Sequence, residues 1–247
     1  MRGPGDGGGL QLWFAPELRF LLASRHRGQD VLRVSYDLTS SLGHVVQSLG
    51  VPLTEVGALT VDGWPVPPEH RPGDGTLVEV AARPRPQPLP PSATGFVLDV
   101  HLGALARRLR LVGLDTAYAN DADDPELVRR ANAERRVLLT RDRGLLRRRT
   151  PWLAAFVRGT RPDEQLLDVL TRFRPPLAPW TRCPACNGDL APVAKAAVAH
   201  LLEPGTRRTY DTFTRCRSCG RVYWRGAHGG RLEATVTAAR AAVTGRG

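Results

Sequence analysis

The sequence of 247 residues predicts an α/β protein, with an α+β domain before a parallel sheet and a cysteine-rich domain after it. Three observations support this fold class. Short apolar stretches alternate with amphipathic stretches over residues 95–173, which is typical of a parallel sheet with helices on both faces. Residues 10–82 follow the order strand, strand, helix, strand, strand. Four cysteines in two C-x-x-C pairs indicate a small metal-binding domain.

The N-terminal part contains four predicted strands and one helix. LQLWFAPEL and VLRVSYDL alternate apolar and polar residues, as the first two strands of a sheet do. SSLGHVVQSLG has apolar residues at helical spacing, and Gly50 suits the position after a helix end. ALTVDGWPV predicts a strand and a turn at Asp62-Gly63, and TLVEVAA predicts a last strand.

This order of elements resembles the β-grasp fold, specifically the ubiquitin-like domain of sulfur-carrier proteins. The resemblance implies a free Gly-Gly end that is activated as a thiocarboxylate. Here the last predicted strand runs instead into a proline-rich stretch. We therefore expect a docking or regulatory module, and a sulfur-transfer role is the less favoured alternative.

Proline-rich stretches divide the chain. ARPRPQPLPPSATG (82–95) has five prolines and no apolar periodicity, as expected of a stiff, extended linker, and FRPPLAPWTR (173–182) precedes the cysteines. The predicted organisation is a β-grasp domain at 8–82, a linker at 83–94, a parallel α/β domain at 95–176, a cysteine-rich domain at 177–235 and a C-terminal tail at 236–247.

The central domain is predicted to alternate strands with helices. GFVLDV is a strand ending near Asp99, and HLGALARRLRLVG is an amphipathic helix. TAYA, RVLLT and LAAFVRG predict the remaining strands, and RGLLRRR and PDEQLLDVLTRF predict two helices. A further helix is expected to begin at Asp124-Pro125-Glu126, with Asp124 as its cap and Pro125 at its first position.

Three aspartates are expected at one edge of this sheet. Asp99 and Asp142 follow predicted strands, Asp124 follows another, and sites in such sheets lie beyond the carboxyl ends of the strands. Each alone could be a helix cap or a surface ion-pair partner. Together, the carboxylates would repel one another unless a cation binds among them. Magnesium or manganese fits, because hard cations prefer oxygen ligands and can promote attack on a phosphodiester.

Charge predicts a polyanionic partner. The chain has 35 basic and 24 acidic residues, for a net charge of +11, and every basic residue except Lys195 is arginine. Residues 1–82 carry −3, whereas residues 95–182 and 183–247 carry +6 each. We expect a cytoplasmic protein, since MRGPGDGGGLQLWF lacks the apolar core of a secretory signal and no stretch suits a membrane span.

The four cysteines occur in RCPACNG and RCRSCG as Cys183, Cys186, Cys216 and Cys219. Two C-x-x-C knuckles separated by 29 residues are typical of a zinc ribbon, in which four thiolates complete a closed, structural site. Two disulfides or a redox pair are the alternatives. Disulfides need an oxidising compartment, for which the sequence contains no signal.

Several residues are candidates for binding RNA. Arginines can hold phosphates through bidentate contacts, and aromatic side chains can stack on unpaired bases. Tyr223 and Trp224 could instead build the small core of the cysteine-rich domain. The candidates are Arg107, Arg108, Arg141, Arg143, Tyr223 and Trp224.

Residues 95–149 resemble the PIN-like ribonuclease domain named for the C-terminal region of the mut-seven exonuclease. The matching motifs are the LD strand end, LGALARRLRLVGLDT, DDPEL and VLLTRD. The resemblance continues through EQL (164–166) and the cysteine-rich tail. The N-terminal segment is similar to the ubiquitin-like domain found fused to that family.

The resemblance implies a PIN-like fold and a ribonuclease with Asp99, Asp124 and Asp142 as ligands of magnesium or manganese. Many PIN nucleases have a fourth acid soon after the TRD turn, but here residues 143–146 read RGLL. A second metal site is therefore left open, with Asp121 and Asp123 as substitutes. The alternative function is a non-catalytic RNA-binding or ribosome-associated adaptor with the same fold.

Overall fold

A computed structural model describes residues 8–148, 151–226 and 229–245. Contacts divide these residues into two compact units. Unit 1 contains residues 8–84 with the short segments 142–148 and 154–156, and unit 2 contains the remainder.

The N-terminal part of unit 1 has the predicted β-grasp arrangement. Its sheet has the strand order β2-β1-β5-β3-β4, in which β1 is parallel to β5 and the other neighbours are antiparallel. The elements are β1 (Gly8–Phe14), β2 (Val31–Tyr36), α1 (Leu42–Ser48), β3 (Val56–Val61), β4 (Trp64–Val66) and β5 (Leu77–Ala82). The predicted order strand, strand, helix, strand, strand matches β1, β2, α1, β3 and β5, and the structure adds β4, a short strand that pairs with β3 after the Asp62-Gly63 turn.

Buried residues occupy every second position of β1 and contribute to the core of this sheet. Leu10, Leu12 and Phe14 are buried, because successive strand residues point to opposite faces and only one face meets α1 and the core. Asp62 and Gly63, with φ of 48° and 85°, form the turn between β3 and β4. Positive φ at both positions is the requirement of a tight hairpin turn, and Asp-Gly meets it.

After the linker the chain alternates strands and helices as predicted. These elements are β6 (Gly95–Leu98), α2 (Gly103–Leu111), β7 (Thr116–Tyr118), α3 (Asp124–Ala133), β8 (Arg136–Thr140), α4 (Arg143–Arg148), β9 (Ala154–Phe156) and α5 (Pro162–Phe173). Arg149, the last residue of the predicted RGLLRRR helix, lies outside the described residues.

A parallel sheet forms the centre of unit 2. Strands follow the order β7-β6-β8, with β6 parallel to both neighbours. Leu153 and Val157, on either side of β9, hydrogen-bond with the backbone of β8. Residues 96–98 of β6 and 137–139 of β8 are all buried, so both faces of these strands are covered.

The start of α3 differs from the prediction. Asp123, not Asp124, is the N-cap, and its carboxylate accepts the Glu126 N–H at 2.8 Å. Pro125 is therefore the second helical residue and not the first. The sequence has aspartates at both 123 and 124. Asp123 is the cap because its backbone is extended just before the helix (φ −80°, ψ 168°), as an N-cap requires.

Helix α4 and strand β9 belong to unit 1. Arg143 and Arg147 in α4 donate to the backbone carbonyls of Leu21 at 2.5 Å and Gln47 at 3.0 Å. The buried carboxylate of Glu55 accepts the Phe156 N–H at 2.9 Å. The ubiquitin-like part thus binds two short elements that the sequence assigns to the central domain.

The cysteine-rich part of unit 2 contains a second, antiparallel sheet in the order β10-β11-β12. Val198, Leu202 and Phe213 form its small core. Its elements are β10 (Leu190–Val193), α6 (Lys195–Val198), α7 (Pro204–Thr209), β11 (Phe213–Cys216), β12 (Val222–Trp224) and α8 (Gly229–Thr244).

The C-terminal segment is helical over most of its length. Helix α8 extends across position 235, where the sequence predicts that the cysteine-rich domain ends, and it packs against α5. Val236 and Ala239 are the residues that it buries. No helix among the described residues has the length and apolar character that a membrane crossing requires.

Candidate functional site

The four cysteines converge on one point. Their sulfur atoms all lie within 4.8 Å of one another, with Cys183 3.7 Å from Cys219 and Cys186 3.4 Å from Cys216. These distances exceed the ~2.05 Å of a disulfide and approach the ~3.8 Å between thiolates that a tetrahedral site with ~2.3 Å bonds requires. The donor set thus fits a tetrahedral thiolate site, as the zinc-ribbon prediction requires.

The two knuckles have the same backbone. Asn187 and Gly220, each four residues after the first cysteine of its knuckle, have φ of 71° and 72° and donate N–H to the carbonyl of that cysteine. Asparagine and glycine are the residues that enter this left-handed conformation most readily. The N–H groups of Ser218 and Cys219 also point at the Cys216 sulfur, at 3.4 Å each.

The pKa values of the thiols differ within the cluster. Burial and the neighbouring thiols raise the pKa of Cys186 to about 12. Burial also acts to raise the pKa of Cys216, but the N–H groups of Cys219 and Ser218 outweigh it and lower that pKa to about 7. Four adjacent thiols therefore do not all ionise at neutral pH without a positive charge to compensate them.

The first knuckle is anchored on the parallel sheet. Arg110 of α2 is buried, and its guanidinium donates to the carbonyls of Thr116, Pro184 and Ala185 at 2.9–3.2 Å. Asn187 accepts the Thr116 N–H and donates to the Asp115 carboxylate, both at 3.0 Å. The knuckle backbone is thus fixed on the residues that start β7.

Asp99 lies at the carboxyl end of β6 and is 4% exposed. Its Oδ1 accepts the His101 N–H at 2.8 Å, which caps the 3-10 turn before α2. Its Oδ2 accepts the Arg141 N–H at 3.1 Å and the Thr140 hydroxyl. Three donors from two strand ends therefore fix the orientation of a buried carboxylate, as second-shell donors do for metal-binding carboxylates.

Asp124 is half-buried at the first position of α3, and its cap role is taken by Asp123. Its carboxylate makes no hydrogen bond or ion pair with any residue that the structure describes. Asp121 and Asp123 are exposed. The sequence predicts that Asp124 caps α3, but in the structure its carboxylate does not have that role.

Asp142 is exposed and lies two residues beyond the last residue of β8. Its Oδ1 accepts the Gly144 N–H at 2.6 Å, so it caps α4. Within the described residues, only the four cysteines form a group of three or more His, Cys, Asp or Glu side chains whose ligand atoms lie within 4.8 Å of one another. The three aspartates are not such a group, and their assignment as metal ligands stays a prediction.

Two of the predicted RNA-binding arginines have structural contacts. The Arg141 guanidinium donates to the carbonyl of Gly159, and its N–H donates to Asp99. Arg143 donates to the carbonyl of Leu21. Both contacts brace the backbone, although neither prevents the remaining guanidinium nitrogens from meeting phosphate.

The other four candidates line one cavity of about 870 Å³ in unit 2. Arg107 and Arg108 lie on α2, and Tyr223 and Trp224 on β12. The Tyr223 hydroxyl is 3.0 Å from the Cys183 sulfur, whereas Trp224 is 40% exposed. Trp224 contacts the ribbon core through Phe213, but its exposure leaves part of the ring open to the cavity.

Sequence reasoning missed three residues that build these sites. Arg110 is a buried anchor for the first knuckle, Tyr118 donates its hydroxyl to the Val100 carbonyl beside Asp99, and Trp180 lines the cavity. A signal was present for Arg110, because it lies four residues after the buried Ala106 and therefore on the same face of α2. Tyr118 and Trp180 had no comparable signal, since their partners are distant in sequence.

Comparison with known families accounts for most of the chain. The family model described as the Mut7-C RNAse domain matches residues 94–236, and the one described as Mut7-C ubiquitin matches residues 8–89. No curated protein and no solved structure matches this chain. The chain therefore belongs to the Mut7-C RNase domain family, with the ubiquitin-like domain of that family at its N-terminus.

Proposed function

We propose that this protein is a metal-dependent ribonuclease that hydrolyses RNA phosphodiester bonds, with Asp99, Asp124 and Asp142 as the metal-binding carboxylates. One observation carries the proposal. Asp99 is a buried carboxylate at the carboxyl end of a parallel strand, held by three donors. Burial of a carboxylate costs free energy, and sites in parallel sheets lie at this edge. In a chain of an RNase family we therefore expect Asp99 to take part in binding or catalysis.

Magnesium or manganese, when bound, would supply electrophilic stabilisation of the phosphate and an acidified water. Asp99 contributes a fixed ligand, because its hydrogen bonds leave a lone pair available on a carboxylate with four acceptor sites. Asp124 and Asp142 are the further ligands that we propose, bound directly or through water. Hard divalent ions of this kind retain several waters, so three carboxylates need not touch one another to share one ion.

The remaining assignments follow the same reasoning. We propose that Zn²⁺ occupies the four-cysteine site as a structural ion, since four thiolates leave no open position for substrate. RNA is the proposed partner of unit 2, and a protein docking on the ubiquitin-like domain is the proposed partner of unit 1. We propose a cytoplasmic location, where unpaired thiols persist.

Replacement of Asp142 by Asn tests the nuclease proposal. Asn retains an oxygen that can accept the Gly144 N–H, so the cap of α4 and the fold are preserved, while the negative charge is lost. We expect cleavage of a 5′-labelled single-stranded RNA in Mg²⁺ or Mn²⁺ to fall at least 100-fold, with RNA affinity unchanged within about twofold. Denaturing gels and fluorescence anisotropy measure the two quantities.

Asp30→Asn is the matched control. Asp30 makes only an exposed ion pair with Arg19 among the described residues, so the same chemical change there leaves cleavage unaltered. Equal cleavage by the wild type and Asp142→Asn would overturn the proposal.

The adaptor alternative has its own support. Residues 143–146 contain no fourth acid, and the Asp142 carboxylate already has a structural role as a cap. RNA binding without turnover in any of several divalent ions would favour a non-catalytic RNA-binding protein. The described residues contain no feature that points to the ribosome in particular.

A further inference from the structure

The cavity of about 870 Å³ lies in a groove between α2, the first cysteine knuckle, β12 and α8, all within unit 2. Its volume lies in the upper part of the ~300–1,000 Å³ range of ligand pockets. Two kinds of side chain in its walls are suited to binding a nucleic acid. The aromatic residues are Trp180, Tyr210, Tyr223 and Trp224, and the arginines are Arg107, Arg108, Arg182 and Arg225.

The four aromatic residues of the groove differ in how much of each ring is packed against the ribbon. Tyr210 packs against the small ribbon core, and Tyr223 is bound to the Cys183 sulfur by its hydroxyl. Trp224 is 40% exposed, and among the described residues its ring contact is the tilted one with Phe213, whose centroid lies 6.2 Å away. Trp180 holds the Arg225 guanidinium over its ring at 5.2 Å. Trp224 and the Trp180–Arg225 pair therefore offer planar surfaces on which a base can stack.

The charges in the groove favour an anion. Its acids, Asp163 and Asp211, are paired with Arg108 at 2.5 Å and with Lys195 at 2.7 Å. Arg107 is exposed and forms no ion pair with any described residue. Arg182 and Arg225 are also paired, with Asp115 and with Glu233. Arg107 is therefore the groove arginine whose guanidinium is available to a phosphate among the described residues.

We propose that this groove binds an unpaired RNA strand, with a base stacked on Trp224 or on the Trp180–Arg225 pair and Arg107 on a neighbouring phosphate. In an A-form duplex the faces of the bases are covered by neighbouring bases. Aromatic side chains that stack on bases therefore select single-stranded RNA. The inference deepens the proposed function, on which it rests for the choice of RNA as ligand, and it assigns the substrate class as single-stranded.

The groove is connected to the surroundings of Asp99 through two elements. Arg107 lies on α2, which directly follows the 3-10 turn that Asp99 caps. Asp163, at the other wall, is in the first turn of α5, and Gly159, just before that helix, binds Arg141 beside Asp99. The wall of the groove that contains Asp163 is thus linked to the buried carboxylate through Gly159 and Arg141.

Trp224→Ala and Arg107→Gln test the proposal separately. Binding of a 12-nucleotide single-stranded RNA containing 2-aminopurine is measured without added Mg²⁺ or Mn²⁺, so that cleavage does not contribute. We expect Trp224→Ala to weaken binding about 5- to 100-fold and to abolish the quenching that stacking causes, with an unchanged salt dependence. Arg107→Gln should reduce the slope of log K against log salt by about 0.7.

Arg207→Gln is the control, since Arg207 is an exposed arginine of α7 outside the groove, and it should change neither quantity. Zinc content and circular dichroism identify variants that fail to fold, and Trp224→Phe, which keeps an aromatic face, should recover part of the affinity. A hairpin duplex of equal length should bind at least tenfold more weakly than the single strand.

If both variants bind single-stranded RNA as the wild type does, the groove is not the RNA site; a protein segment as its occupant would give that result. Failure of the nuclease proposal is distinguishable from this outcome. RNA that binds in the groove but is never cleaved would overturn the catalytic assignment alone.

Discussion

Asp123 and Asp124 are identical neighbours with different environments. Asp123 accepts the Glu126 N–H and caps α3, whereas the Asp124 carboxylate has no partner among the described residues. The sequence predicts the cap at Asp124, because Pro125 suits the first position of a helix. In the structure the helix begins one residue earlier, so Pro125 is its second residue.

The two aspartates are expected to separate stability from activity. Asp123→Ala removes the cap and should lower the free energy of unfolding by about 1 kcal/mol with little effect on cleavage. Asp124→Asn should lose cleavage at least tenfold but cost less than ~1 kcal/mol, the effect of a charge near a helix N-terminus. Urea unfolding and RNA cleavage rates measure both, and the reverse pattern would remove Asp124 from the catalytic set.

At the scale of elements, the knuckles show how one structure arises from two different sequences. CPACNG and CRSCGR share only their cysteines, yet both place a residue with φ near +70° four positions after the first cysteine. The shared geometry follows from the need to direct two sulfurs and several N–H groups at one ion. The C-x-x-C spacing predicted the four-thiolate site, and the structure adds the shared backbone conformation of the two knuckles.

Metal removal should unfold the ribbon. Because metal binding supplies much of the folding free energy of such sites, titration of the thiols with a mercurial reagent should release about one zinc ion per chain. We expect amide protection to be lost first in β10, β11 and β12, as measured by hydrogen exchange. Modification of all four thiols with no release of metal would contradict the zinc assignment.

At the scale of the molecule, the parallel sheet and the ribbon form part of one compact unit. Asp115 is central to their connection. It binds Arg136 from β8 at 2.5 Å, Arg182 before the first knuckle at 3.1 Å and Asn187 within it at 3.0 Å. The ribbon is therefore expected to contribute to the stability of the sheet whose edge carries Asp99.

This network predicts a pH dependence. Burial acts to raise the pKa of Asp115, but the hydrogen bonds from Arg136 and Asn187 and the charges of Arg136 and Arg182 outweigh it, so the pKa is lowered. A carboxyl whose pKa is lower in the folded state stabilises the fold above its ordinary pKa, near 3.8, and loses that contribution as pH falls through the folded value.

Asp115→Asn should therefore be less stable than the wild type at pH 7, and the difference should shrink below pH 4. Urea unfolding followed by fluorescence between pH 7 and pH 3 measures it. Asp189→Asn, which removes only the more exposed partner of Arg182, is the comparison variant and should show a smaller difference. A difference that does not change with pH would show that charge at Asp115 does not matter.

The division of the molecule into units is where the sequence prediction was least informative. The linker at 83–94 suggests a boundary there, yet α4 and β9 belong to unit 1. Hydrogen bonds connect α4 and β9 to the rest of unit 1, and they involve Arg143, Arg147 and Glu55. Each joins a side chain to a backbone group that is distant in sequence. Because any residue can present a backbone carbonyl or N–H, these contacts leave no pattern in the sequence.

The sequence by itself determined the order and type of the elements, the β-grasp and parallel α/β folds, and the four-cysteine site. These depend on local periodicity, turn residues and ligand spacing, which short stretches of chain specify. Only the tertiary structure decided that Asp99 is buried and held by Thr140 and Arg141, that Arg110 supports a knuckle, and that distant aromatics and arginines share one groove. Those features depend on which strand ends and helix faces meet, because their partners are separated by tens of residues.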